Sequence, residues 1–178
     1  MAIYKLIDND NSILRVSLSG VSEDCDREKL QEDLIETMKN FKGLGLSANQ
    51  CGIMERVFVM YSDFEKREAI ACFNPKILDY SKEEVIMEEG CLSYPGLWLK
   101  VKRAHNILAE FEDVKGDKKT IPLRDVAARV FQHEMDHMEG IDFTKKVSKL
   151  RLDMAKKRML KQRKKAQRLL PKNDSSVA

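Results

Sequence analysis

The chain has 178 residues, 34% of them charged and 43% hydrophobic, with a net charge of +3 at pH 7. That length suits one domain with a sizeable core. The longest uncharged run, "GLGLSANQCGIM" (43–54), is too short and too polar to span a bilayer, which excludes a membrane-spanning helix.

The first residues carry no basic start followed by an apolar stretch, so no secretion signal is expected. The segment 25–41, "CDREKLQEDLIETMKNF", places Leu30, Leu34, Met38 and Phe41 on one helical face. The Gly-bearing "KGLGLSANQCG" follows, and then "RVFVMY" (56–61), a short apolar run fit for a buried strand. "EAIACFNPKI" and "EEVIMEEG" read as further strands, and "WLKVKRAHNILAEFEDV" leads to a hairpin turn at Lys115-Gly116-Asp117. Beyond Pro122, "LRDVAARVFQHEMDHMEG" reads as a helix closed by Gly140 as a left-handed cap.

From Lys145 to about Leu170 the sequence predicts one more helix, with Val147, Leu150 and Met154 packing on the body and the apolar stripe fading after Leu160. Residues 145–168 hold twelve Lys/Arg against Asp153 alone, so this stretch is strongly basic and the body before it is acidic. The last residues, 171–178, read as a disordered tail. The expected architecture is α+β: strands packed around a central helix bearing His-Glu-x-x-His, in a catalytic domain of residues 1–144, followed by a basic C-terminal helix.

"QHEMDHMEGIDF" (132–143) carries the chemistry. His133 and His137, four apart on a helix, share a face and can present two imidazoles to one ion, with Glu134 beside them. The third ligand decides the class. A third histidine six places after the second is missing, because Phe143 stands there, and no glutamate follows Glu139. The ligand must therefore come from upstream, where His105 and the four cysteines, at 25, 51, 72 and 91, are the candidates. His105, in charged "KRAHNIL", reads as a surface residue, and the cysteines, without a CxxC pair, read as reduced thiols of a cytoplasmic protein. Cys91 stands out in "EEGCLSYPG", where Gly90 permits close approach and Pro95-Gly96 fixes the loop. One thiolate and two imidazoles leave a position open to water, the layout of a catalytic site.

Three motifs in this order, "GLGLSANQ" (43–50), "EGCLS" (89–93) and "HEMDH" (133–137), resemble those of the peptide deformylase family. Ser47 stands where that family usually has alanine, and Asn49 where proline or threonine is common. The resemblance implies hydrolysis of the N-formyl group from the formyl-methionine of new polypeptides, releasing formate, as a step of N-terminal methionine processing in protein biosynthesis. It implies Cys91, His133 and His137 as ligands of Fe²⁺, for which Zn²⁺, Ni²⁺ or Co²⁺ substitutes. Glu134 is then the general base and acid, Gln50 and the backbone N–H of Leu92 meet the oxyanion, and Gly43, Leu44, Gly45 and Gly90 line the substrate. A Glu89–Arg103 ion pair is expected to brace the Cys91 loop, Asp136 reads equally as a group that orients an imidazole or caps the metal face and as a solvated helix charge, and the orientation of Arg129 is open. The chain is expected to act as a monomer, with no membrane contact, and its basic helix suits the ribosome. Two other readings stay in view: a small metalloprotease, and a non-catalytic RNA-binding protein with a structural metal.

Overall fold

The apolar run at 57–61 is buried on both sides, and the rest of the fold is arranged around that fact. In the computed structural model, which describes residues 2–169, this run lies in β2 (Val57–Asp63). β2 is flanked by β1 (Gly45–Ser47) and β3 (Glu68–Tyr80), and the sheet continues through β6 (Asn106–Glu112) to β7 (Lys118–Arg124), every pair antiparallel. Successive residues of a strand face opposite sides. Val57, Val59 and Tyr61 accordingly meet α1 (Arg27–Asn40) through Leu30, Leu34 and Met38. Phe58 and Met60 meet α2 (Asp125–Met138) through Ala128, Phe131 and Met138. Each large apolar side chain fully buried there contributes about 1.5–3 kcal/mol relative to exposure.

α1 starts where Asp26 accepts from the backbone N–H of Lys29 at 3.0 Å, an N-cap that satisfies one of the free donors of the first turn. Phe41, expected on the packed face, lies just past the helix end and is exposed. α2 is followed by Gly140 at φ +64°, as the left-handed cap requires, and a Cβ there would sit 2.6 Å from the carbonyl of Arg15.

A second, two-stranded sheet pairs β4 (Glu84–Gly90) with β5 (Trp98–Ala104) and carries Cys91 at its end. Here the structure departs from the sequence reading in two places. The stretch 98–114 is two strands in different sheets, divided at His105. Leu123 and Arg124 belong to β7, so the helix begins at Asp125. Pro122 sits inside β7, tolerated because β7 is an edge strand.

The C-terminal helix, α3, is described from Lys149 to Leu169 after a 3-10 turn at Phe143–Lys146. Its inward residues are Leu152, Ala155 and Met159, packed with Val147 against Leu97, Leu99, Val101 and Phe143. Leu150 and Met154, expected to pack, are 70% and 58% exposed. The tail read at 171–178 lies outside the described residues.

Candidate metal centre

α2 presents His133 and His137 on the same face, their ring centroids 5.3 Å apart. The turn after β4 brings Cys91 against them, with its Sγ 3.3 Å from His137 Nε2. The three ligand atoms all lie within 4.8 Å of one another, and all three residues are buried. An ion with bonds of about 2.0–2.3 Å spaces tetrahedral ligand atoms on this scale. The donors also suit one chemically. Burial holds His137 well below the ordinary 6.5, hence neutral and able to ligate. Burial favours the neutral ring in His133 too, but hydrogen bonding to Cys91 and Glu89 outweighs it and pushes the imidazole up to about 10. An ion would displace that proton on binding.

Glu89 holds the centre from behind. Its carboxylate accepts from His133 Nδ1 at 3.1 Å, which turns Nε2 toward Cys91. It also accepts from Arg103 at 2.6 and 2.9 Å and from Arg129 at 2.6 Å. Burial alone would raise this carboxyl, yet the His133 and Arg103 hydrogen bonds hold it well below the usual range. Arg103 continues to Asp136 at 2.8 Å, and Asp136 to Lys146 at 2.8 Å. The expected Glu89–Arg103 pair is present. Asp136 is neither solvated nor on an imidazole: it neutralises Arg103. Arg129, the open case, turns to Glu89 and to the carbonyls of Val101 and Val85. His105 pairs with Asp125 at 2.6 Å, away from the ligand cluster.

Glu134 is buried beside the ligands, and burial raises its carboxyl above the ordinary 4.5. Ser47 Oγ donates to its Oε2 at 2.5 Å. A Cβ on Gly45 would sit 2.5 Å from its Oε1, so only glycine leaves the carboxylate its place. Gln50 Nε2 donates to Ser93 Oγ at 3.0 Å and to Cys91 Sγ at 3.4 Å, while its Oε1 accepts from the Ser47 N–H at 3.0 Å. The side-chain amide is thereby aimed N–H first at the cluster. Asn49 Nδ2 donates to the His137 carbonyl at 2.8 Å, tying the 43–50 loop to α2. A Cβ on Gly43 would lie 2.8 Å from Leu92 Cδ1, so this loop and the Cys91 turn interlock.

A cavity of about 1270 Å³ opens onto this cluster, lined among others by Gly43, Leu44, Gly45, Gln50, Gly90, Leu92, His133 and Glu134. Every site residue expected from sequence is brought to one place. The sequence assigns no definite role to Ser47, Asn49, Ser93 or Arg129, although three of them carry a signal: Ser47 and Asn49 depart from the family pattern beside Gln50, and Arg129 lies four residues before His133 on the same helical face.

The polypeptide deformylase family matches residues 3–153 of the chain. A peptide deformylase of Rhizobium meliloti is 35% identical over 164 residues, covering 90% of this chain and 94% of that protein. Peptide deformylase 1 of Clostridium perfringens is 42% identical over 144 residues, covering 80% of this chain and 97% of that protein. The crystal structure of a peptide deformylase from Legionella pneumophila superposes with a TM-score of 0.81 at 34% identity, covering 96% of this chain and all of that one. The match to the family and the buried Cys-His-His cluster together place the chain in the polypeptide deformylase family, as a metal-dependent hydrolase that removes the N-formyl group from newly synthesised polypeptides.

Proposed function

We propose that Cys91, His133 and His137 hold one Fe²⁺, replaceable by Zn²⁺, Ni²⁺ or Co²⁺, and that the remaining residues of the cluster divide the work of deformylation. The convergence of the three ligand atoms beside a buried Glu134 carries this reading. When bound, the ion supplies Lewis-acid polarisation of the formyl carbonyl and an acidified water. Glu134 takes the proton of the attacking water and delivers it to the amine as the C–N bond breaks, so formate and a free N-terminus leave. The oriented Gln50 amide and the Leu92 N–H donate to the oxyanion; one such donor is worth about 2.7–4 kcal/mol in the transition state.

β1 is an edge strand, so the formylated chain can add beside Gly43, Leu44 and Gly45, with Gly90 on the other side of the groove. The methionine side chain enters the apolar part of the cavity near Leu44, Val126 and Val130. Three ligands with space left for water favour this chemistry over a structural ion.

The outward side of α3 exposes Lys157, Arg158, Lys161, Lys164, Lys165 and Arg168, a surface suited to ribosomal RNA phosphates. Leu152 and Ala155 tie the helix to the core. Reversing Lys157, Lys161 and Lys164 to Glu is therefore a better test than truncation, and unchanged ribosome co-sedimentation at low salt would reject the contact. We place the protein in the cytoplasm as a monomer; no helix among the described residues is long and apolar enough to cross a membrane. Formate release from a formyl-methionyl tripeptide by anaerobically prepared, iron-loaded protein, with internal bonds left intact, tests the whole reading. Cleavage of internal bonds would point to a protease.

A further inference from the structure

α3 does more than cover the small sheet. Lys156, Met159, Leu160 and Arg163 line the same cavity that opens onto Cys91, His133 and Glu134. From Cys91 outward the wall runs through Gly90, over which the Trp98 ring lies 3.2–3.3 Å from where a Cβ would stand, and through Pro95-Gly96 to α3. The helix is fixed against that wall. Arg163 Nη2 donates to the Pro95 carbonyl at 2.5 Å, Met159 Cγ lies 3.7 Å from the Cβ position of Gly96, and Ala155 is buried one turn before.

Lys156 and Arg163 are both exposed, and among the described residues neither is within ion-pair distance of a carboxylate. The seven-residue step from Lys156 to Arg163 rises about 10 Å along the helix. That is about three residues of extended chain. The other exposed charges lining the cavity are mostly acidic, Asp8, Asp10 and Glu88 against Lys42, so the α3 pair is its concentration of positive charge. Trp98 and Leu160, 58% and 52% exposed, lay an apolar shelf beside it, fit for the aliphatic stems of long side chains.

We propose that α3 is a specificity wall, on which Lys156 and Arg163 engage carboxylates in the segment of the formylated chain downstream of its methionine, so that the enzyme prefers acidic segments there. The proposal rests on the deformylase reading and adds to it a determinant remote from the ion. Two sources of carboxylate share this chemistry, acidic side chains and the free C-terminus of a short peptide, and C-terminal amidation separates them.

The test compares kcat/KM at low salt for two amidated peptides, formyl-Met-Ala followed by three glutamates or by three lysines. Two such pairs predict an acidic-to-basic ratio of about 10. K156E/R163E should bring that ratio to one or below, and salt should compress it in the wild type. Because the readout is a ratio within one preparation, differences in metal loading cancel. Should the reversal fail to fold, K156Q/R163Q at an unchanged melting temperature should likewise bring the ratio near one. A ratio of one in the wild type, or a ratio that either folded variant leaves unchanged, overturns the proposal. A ratio of one between the amidated peptides, with each free acid preferred over its own amide, assigns the pair to the terminal carboxylate and overturns the side-chain reading. No formate from either peptide or from a formyl-methionyl tripeptide overturns the deformylase reading beneath it.

Discussion

Replacing Glu89 by Gln removes one buried negative charge and leaves three cationic or donating partners around it. The Glu89, Arg103 and Arg129 side chains are 4%, 4% and 6% exposed, so water cannot take over. Removing one partner of a buried pair costs about 3–5 kcal/mol. Asp136 still neutralises part of Arg103, and the Gln carbonyl still accepts one bond, so the lower end, about 3 kcal/mol, is expected. The same change frees His133 Nδ1, or sets an amide N–H against it, and loosening such a support weakens metal binding by about 10–100-fold. Urea unfolding of the metal-free protein reads the first effect, and competition with a chromophoric chelator reads the second. Because bound metal stabilises by mass action, the gap between metal-loaded and metal-free stability should shrink by about 1.4–2.7 kcal/mol. A loss below about 1 kcal/mol, the scale of an exposed pair, with unchanged metal affinity would refute the role assigned to Glu89.

Gly45→Ala should cost about 100-fold in kcat with the fold retained, because its Cβ displaces the Glu134 carboxylate; near-normal turnover would contradict the packing described. Gly140→Ala should destabilise by at least about 1 kcal/mol, since it is strained at φ +64° and meets the Arg15 backbone, and calorimetry checks it. Arg27→Ala should cost about 1 kcal/mol at neutral pH through loss of the Glu112 pair at 2.7 Å. The Arg27 hydrogen bond holds the Glu112 carboxyl below its ordinary 4.5, so this stability is present above that pH and is lost as pH falls through the folded-state value. The wild-type-to-variant difference should therefore narrow in acid, and a gap independent of pH would contradict the assignment.

The three motifs and the two helices that flank β2 are legible because their signals are local: helical spacing around His133, an apolar face through Leu30, Leu34 and Met38, an apolar run at 57–61. What escaped the sequence is set by tertiary partners. Nothing in "KVKRAHNIL" marks the change of sheets at His105, with neither Gly nor Pro there to announce it. Pro122 reads as a helix boundary until the edge position of β7 is known. On α3 the apolar residues are sparse enough to draw two stripes, Leu150–Met154 and Leu152–Ala155–Met159, and only contact with Leu97 and Val101 chooses the second. The Ser47–Glu134 bond joins residues 87 apart in sequence, and no periodicity reaches that far.

The most direct test of the central claim is single-turnover formate release from a formyl-methionyl tripeptide by iron-loaded protein and its Glu134→Gln variant. With peptide binding measured in parallel, the wild type should release one formate per bound iron. The variant should bind metal and peptide but fall by orders of magnitude in rate. Comparable formate release from metal-replete Glu134→Gln would contradict Glu134 as the group that moves the proton.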